Sequence, residues 1–291
     1  MQNSSVLRRI QEVRIMAEIA YYQDTFVDLD AKVVPIQERA HQFGDGIYEV
    51  IRVYDGRPFM LDEHLQRLEM SADAIELDLP YTTEEIKDIC LDGLEKSELL
   101  EAEIYLQISR GIHARQHFYP DSPCAVFAMT VKQAKIIPEE KRQNGVNVMT
   151  LEDERWKNCY IKSLNLLPNV MAKQKAKRNR CEEAIFVEEG KVKEGSSSNL
   201  FAVKNGTLYT YPALKGILHG ITRRVVLDLA KKLPMSVEEA PFTLDFLKNA
   251  DEVFITSTSM DIMPVRQVDD TVLESERPYT AKLIEQFHKL M

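Results

Sequence analysis

The spacing of apolar and polar residues divides the chain into short strands and a few helices. From Glu18 the pattern is strand-like: residues 20–22 precede a turn at Gln23-Asp24, and residues 25–27 and 32–34 resume it. Residues 47–54 alternate, which places Tyr48, Val50, Arg52 and Tyr54 on one face. Asp55-Gly56 signals a tight hairpin, and residues 58–60 begin the return. Over residues 61–77, Leu61, Leu65, Leu68, Ala72 and Ile75 recur at three- and four-residue steps, the signature of one buried helical stripe. A second helix is predicted over 83–97, capped by Thr82 or Thr83. Strands follow at 103–109 and 125–131, separated by a loop, 111–123, rich in His, Arg and aromatic residues.

Residues 134–144 are polar and include Pro138, so the domain boundary is placed there. Beyond it the pattern predicts a strand at 146–151, a helix over about 168–179 and a strand at 183–187 turned by Glu189-Gly190. Residues 200–203 and 208–211 flank Asn205-Gly206, the strongest hairpin signal in the chain. Helices are predicted over 222–233 and 243–249, with a strand at 252–256 between them and the C-terminus. The expected organisation is an extension over 1–16, with Leu7, Ile10 and Arg14 as a weak helical face, a small α/β domain over 17–133, a linker over 134–139 and a large α/β domain over 140–291. Two α+β halves built of short elements fit this pattern.

Composition narrows the class. Apolar residues make up 44% of the chain, too many for a disordered protein. No run approaches the roughly 20 apolar residues of a membrane span, and the N-terminus lacks a secretory core. A net charge of −9 repels phosphate backbones, so nucleic acid is not an expected partner, although a single small phosphate can still bind in a local pocket. Cys90, Cys124, Cys159 and Cys181 form no C-x-x-C pair, which removes a zinc ribbon or thioredoxin motif. Free, mostly buried thiols, a cytoplasmic location and no metal are expected. The basic run Lys173, Lys175, Lys177, Arg178 and Arg180 reads as a solvated face.

Several residues carry chemistry, each with a bland reading beside the functional one. Lys162 sits in the apolar stretch 159–167; such a lysine either snorkels along a strand edge or is held where it attacks carbonyls. Residues 194–199 read Glu-Gly-Ser-Ser-Ser-Asn, either a plain turn or a carboxylate beside small residues on which a flat ring can lie. Gly220-Ile221-Thr222 at a helix start and Thr256-Ser257-Thr258-Ser259 after a strand are either caps and turns or anion sites. Arg67 borders the apolar stripe of its helix, so it is solvated or points inward at an anion. Arg115 and His117, two apart in the loop, are surface residues or a paired carboxylate clamp.

Together and in this order the segments resemble the fold-type IV pyridoxal-phosphate enzymes, the class IV aminotransferases. The resemblance is carried by residues 39–49 (Arg-Ala-His-Gln-Phe-Gly-Asp-Gly-Ile-Tyr-Glu), 63–68 around Arg67, 161–165 around Lys162, 194–201, 216–223 and 254–259 with Pro264-Val265. It covers roughly residues 17 to 291. It implies that Lys162 is the Schiff-base and proton-shuttling lysine and that Glu194 pairs with the pyridine nitrogen. It further implies that Arg67, Ile221, Thr222, Ser257 and Thr258 hold the phosphate, that Leu218 packs behind the ring, and that Tyr48 lies near cofactor and substrate.

Within the family, the Arg115 and His117 pair is similar to the carboxylate trap of D-amino acid aminotransferases. That implies transamination between a D-amino acid, D-alanine foremost, and a 2-oxo acid such as 2-oxoglutarate, in a homodimer whose small-domain loop reaches the partner's site. A branched-chain L-amino acid aminotransferase and an aminodeoxychorismate lyase of the same fold are the alternatives. Two features depart from the family pattern: His41 stands where an aromatic residue is frequent, and the N-terminal extension is additional.

Overall fold

The computed structural model describes residues 18–274 and 276–291, so the extension expected over 1–16 lies outside the described residues. The first half contains β1 (Ile19–Tyr22), β2 (Thr25–Val27), α1 (Arg39–Phe43), β3 (Gly46–Tyr54), β4 (Arg57–Pro58), α2 (Leu61–Ala74), α3 (Thr83–Ser97), β5 (Ala102–Ser109) and β6 (Val126–Gln133). Its strands form one sheet in the order β2-β1-β6-β5-β3-β4. The alternation in β3 works as expected: Ile47, Ile51 and Val53 are buried in the core, while Tyr48, Val50, Arg52 and Tyr54 share the other face. Leu61, Leu65, Leu68 and Ala72 of α2 cover that core, and Thr82 closes a capping box with Glu85 at the start of α3.

The second half contains α4 (Glu139–Asn144), β7 (Val146–Glu152), α5 (Leu167–Arg178), β8 (Glu183–Glu188), β9 (Lys191–Gly195), β10 (Asn199–Lys204), β11 (Thr207–Thr210), α6 (Ile221–Ala230), β12 (Ser236–Glu239), β13 (Phe242–Thr243), α7 (Leu244–Lys248), β14 (Glu252–Ser257), β15 (Asp261–Val268), β16 (Thr271–Val272) and α8 (Pro278–His288). Strands β10, β14, β15, β7, β8 and β9 follow one another as neighbours, and β9 pairs back onto β10. The sheet therefore curls into a closed ring, and the pair that closes it is Glu194 with Asn199. An apolar layer of α6 and α8 packs on one face of its strands, against Phe201, Val203 and Phe254, and α7 packs with the alternate residues of the other face, among them Leu200, Ala202, Val253 and Ile255.

The hairpin signals hold. Asp55-Gly56 and Asn205-Gly206 both adopt positive φ at each position, the geometry that matches the strand twist and that glycine accepts without strain. Residues 32–34, expected as strand, have no regular structure: Val34 is 60% exposed, so the apolar pair there has no layer to pack against. Helix α2 ends at Ala74, before the expected Leu77, and residues 261–268 and 278–288 form a strand and a helix that the pattern did not single out. Of the four thiols, all free, Cys90 and Cys159 are buried, Cys181 is half-buried and Cys124 is exposed, a less buried set than expected. Among the described residues no helix is long and apolar enough to cross a membrane.

Candidate active site

Lys162 lies between β7 and α5 on a segment that runs along β3. Ile47 bridges Ser163, the Tyr48 N–H donates to the Lys162 carbonyl at 3.0 Å, and the Leu164 N–H donates to the Gly46 carbonyl at 3.0 Å. The Lys162 N–H in turn donates to Ser71 Oγ of α2 at 3.2 Å. Buried Ile161 seats the segment in the core of the first half. The second half thus delivers this lysine onto the first, and its Nζ stands 4.1 Å from the centre of the Tyr48 ring. Both face a cavity of about 940 Å³ between the halves.

Glu194 is buried at the ring closure. One carboxylate oxygen accepts from Arg155 Nη1 at 2.8 Å; the other accepts from Asn199 Nδ2 and from the Leu218 N–H, each at 3.0 Å. Burial pushes its carboxyl up to about 7, against the opposing pull of Arg155. A β-carbon at Gly220 would stand 2.0 Å from Asn199 Oδ1, so glycine there is what lets Asn199 span Glu194 and the Leu218 carbonyl. Arg155 is itself fixed by Asp153 at 2.9 Å and lies over the Phe186 ring. The three serines after Glu194 turn away from it: Ser196, Ser197 and Ser198 all donate to buried Glu183. Lys173, read from sequence as part of a solvated face, pairs with Glu183 at 3.2 Å and lines the cavity, whereas Lys175, Lys177, Arg178 and Arg180 are exposed.

Arg67 points inward, as its place beside the stripe allowed. Its Nε and Nη2 donate to the two oxygens of Glu49 at 2.7 and 2.8 Å, and Nη1 donates to the His219 carbonyl at 3.0 Å. Glu49 also meets His64 Nδ1 at 2.7 Å. Glu49 is fully buried; burial alone would raise its carboxyl, but Arg67 and His64 overturn that and hold it well below the usual range. Neither Glu49 nor Arg155 emerges from the sequence reading. The signal for Glu49 is a charge on the apolar face of an alternating strand, whereas nothing in the pattern itself ties that charge to Arg67. Nothing local marks Arg155.

Nearby, α6 begins at Gly220 without a side-chain cap, so the N–H groups of its first turn are open to an anion. Thr256 Oγ1 is buried without a partner. Lys162, Glu194, Arg67, Leu218, Ile221, Thr222, Ser257, Thr258 and Tyr48 all line the one cavity. Arg115 and His117 do not. Both are exposed, and they meet over Phe43, whose ring lies 4.7 Å from the Arg115 guanidinium and 5.6 Å from the His117 ring. Phe43 itself lines the cavity. Their loop is anchored by Arg39, which donates to the Gln116 carbonyl at 2.9 Å and pairs with Asp45 at 2.7 Å, and by Arg110, which stacks 3.6 Å from the Tyr119 ring.

The family model for class IV aminotransferases matches residues 46–268. The D-alanine aminotransferase of Staphylococcus haemolyticus is 41% identical over 266 residues, covering 91% of this chain and 94% of that one. That of Bacillus licheniformis is 44% identical over 246 residues, covering 84% and 86%. Among solved structures, the branched-chain amino acid aminotransferase of Escherichia coli superposes with a TM-score of 0.86 at 28% identity, covering 94% of each chain.

The chain belongs to the class IV aminotransferases. It is an enzyme, and the family's cofactor is pyridoxal phosphate. The donor set of this aminotransferase fits that group. One end of the cavity gathers a guanidinium, an uncapped helix start and hydroxyls, which suit a phosphate. Glu194 offers a buried carboxylate to a ring N–H, and Lys162 an amine to a carbonyl.

Proposed function

We propose that this aminotransferase moves the amino group of a D-amino acid, D-alanine foremost, onto a 2-oxo acid such as 2-oxoglutarate. The observation that carries the reading is the naming of relatives 41% and 44% identical over most of both chains as D-alanine aminotransferases. Bound pyridoxal phosphate supplies a carbonyl for the amine and a ring that draws electrons from the substrate's α-carbon. Arg67, the start of α6 at Ile221 and Thr222, and the turn at Ser257 and Thr258 hold its phosphate. Leu218 backs the ring, and Glu194, set by Arg155 and Asn199, keeps the ring nitrogen protonated. Lys162 Nζ would hold the cofactor through its carbonyl carbon and would serve as the base that takes up and returns the proton of the substrate's α-carbon. Tyr48 flanks that nitrogen. Both half-reactions use Lys162, so the kinetics are ping-pong.

Because Lys162 works from one face, the hand of the amino acid depends on where its carboxylate lies. Arg115 and His117 form the trap that selects the D-form. The trap belongs to a homodimer in which each loop serves its partner's cavity, a reading supported by the exposure of both residues outside their own cavity and of Phe118 beside them, at 80%. The two sheets are two domains joined by residues 134–139. A cytoplasmic setting agrees with four free thiols, one of them at the surface.

The test is a single half-reaction. Enzyme loaded with pyridoxal phosphate, mixed with D-alanine and no acceptor, loses its visible cofactor band and releases pyruvate, while L-leucine leaves the band unchanged. Bleaching by L-leucine alone would overturn the D-specific reading in favour of the branched-chain alternative; silence with both would favour the lyase.

A further inference from the structure

The turn assigned to the phosphate is braced from the other half of the molecule. Strands β14 and β15 form a hairpin whose loop runs from Ser257 to its cross-strand partner Asp261. Asp261 is buried and holds φ at 57°, a left-handed conformation that a β-carbon disfavours. Its carboxylate is gripped on both sides. The Tyr54 hydroxyl, at the end of β3, donates to Oδ1, and Arg142 of α4 pairs with Oδ2 at 3.2 Å. Three parts of the chain therefore converge on one side chain: the first sheet, the helix that follows the connection between the halves, and the hairpin.

Tyr54 is fixed in turn. Its ring meets Phe59 edge-on at 5.8 Å and carries the Arg52 guanidinium at 4.9 Å. It does not line the main cavity but stands behind it, where Tyr54, His64, Thr222 and Thr258 enclose a small void. Burial, reinforced by Asp261, raises the phenol well above its ordinary range, so it remains a donor across the working pH range.

We propose that Tyr54 and Arg142 are positioning residues that act through Asp261 to hold the Ser257–Thr258 turn in its phosphate-binding shape, so that retention of the cofactor depends on contact between the two halves. This rests on the reading that the turn holds the phosphate. Without the brace, Asp261 loses the contacts that oppose its relaxation out of the left-handed conformation, and the turn moves with it. The ring and carbonyl contacts, made by Glu194 and Lys162, are untouched.

Phosphate dependence gives the test. Pyridoxal phosphate and unphosphorylated pyridoxal are each titrated into cofactor-free protein, with quenching of Trp156, the single tryptophan, which lines the cavity, as the signal. Tyr54→Phe and Asp261→Asn, both close in shape to the native residues, weaken pyridoxal phosphate by about tenfold, the scale of one hydrogen bond to a charged group, and change pyridoxal by less than about twofold. Arg142→Gln, at a more exposed bond, shifts the same ratio less. Equal weakening of both ligands would mean a general deformation of the cavity and overturn the proposal, as would no weakening of either. Thr258→Ala is measured alongside. If it leaves phosphate affinity unchanged, the assignment of the turn fails and the proposal falls with it, a result distinct from an inert Tyr54→Phe beside a damaging Thr258→Ala.

Discussion

The cofactor wall and the 111–123 loop both carry charged side chains, and they treat them in opposite ways. On the wall, Glu49, Arg67, Glu194 and Arg155 are buried and bonded to one another or to the backbone on several sides. On the loop, Arg115 and His117 are exposed and rest against one aromatic ring. A buried charge is tolerable only when its partners are in place, so the wall is ordered by its own chain. An exposed charge sets no such demand and leaves geometry to whatever docks on it. The chemistry common to the family thus sits where folding enforces it, and the proposed selectivity sits where loops vary freely.

The sharpest way to break this comparison is to remove a wall charge. Glu49→Ala leaves the Arg67 guanidinium buried with the His219 carbonyl and a long 3.5 Å approach to His64 Nδ1, and is expected to cost roughly 3–5 kcal/mol of folding stability. Urea unfolding of cofactor-free protein measures it. A loss below about 1 kcal/mol would show that the wall is no more dependent on its pairs than a surface is on its salt bridges. Because the Glu49 carboxyl is held low in the fold, its stabilisation is present above the ordinary carboxylate range and is lost as pH falls toward its folded value.

The same contrast explains what was legible in the sequence. Lys162, Arg67 and Glu194 stand in segments whose local pattern is unusual: a lysine among apolar residues, an arginine beside a helical stripe, a carboxylate before small residues. Their partners come from elsewhere in the chain. Arg155 is 39 residues from Glu194, and His219 is 152 from Arg67. No local pattern encodes a pairing made by tertiary closure. Asn199 was within view, yet its role depends on the β9–β10 contact that closes the ring. Hairpins and amphipathic helices were readable because turn chemistry and periodicity are local. The strand expected at 32–34 failed because a short apolar run needs a layer to cover.

A smaller effect comes from pH. Glu194 has a folded value raised to about 7 by burial. Between the ordinary carboxylate value and 7 the cofactor-free fold keeps a proton that the unfolded chain has lost, so stability falls as pH rises through that window and stays low above it. The difference amounts to roughly 3–4 kcal/mol, at 1.36 kcal/mol per unit. Unfolding midpoints of wild type and Glu194→Gln, compared from pH 4.5 to 7.5, isolate it from other titrating groups. The variant should gain relative stability with pH. Parallel curves would mean that Arg155 and Asn199 already neutralise the carboxylate without a ring N–H opposite it.

The smallest stability effect is expected on the loop, together with a selective loss of function. Arg115→Ala changes folding stability by less than about 0.5 kcal/mol, as for other exposed sites, and leaves cofactor retention unaltered, while KM for D-alanine rises by about tenfold, one charged contact to a carboxylate. Pairing it with a second variant tests where the loop acts. In hybrids of Arg115→Ala with Lys162→Ala, a loop that serves the partner's cavity creates one complete site: the intact Lys162 of one chain meets the intact Arg115 of the other. Hybrids should then regain near-normal KM at about half the maximal rate per site. If the loop folds back over its own Phe43 to serve its own cavity, the active lysine and the missing arginine remain in the same site and KM stays high. The exposed position of Arg115, outside the cavity its own chain lines, favours the first outcome.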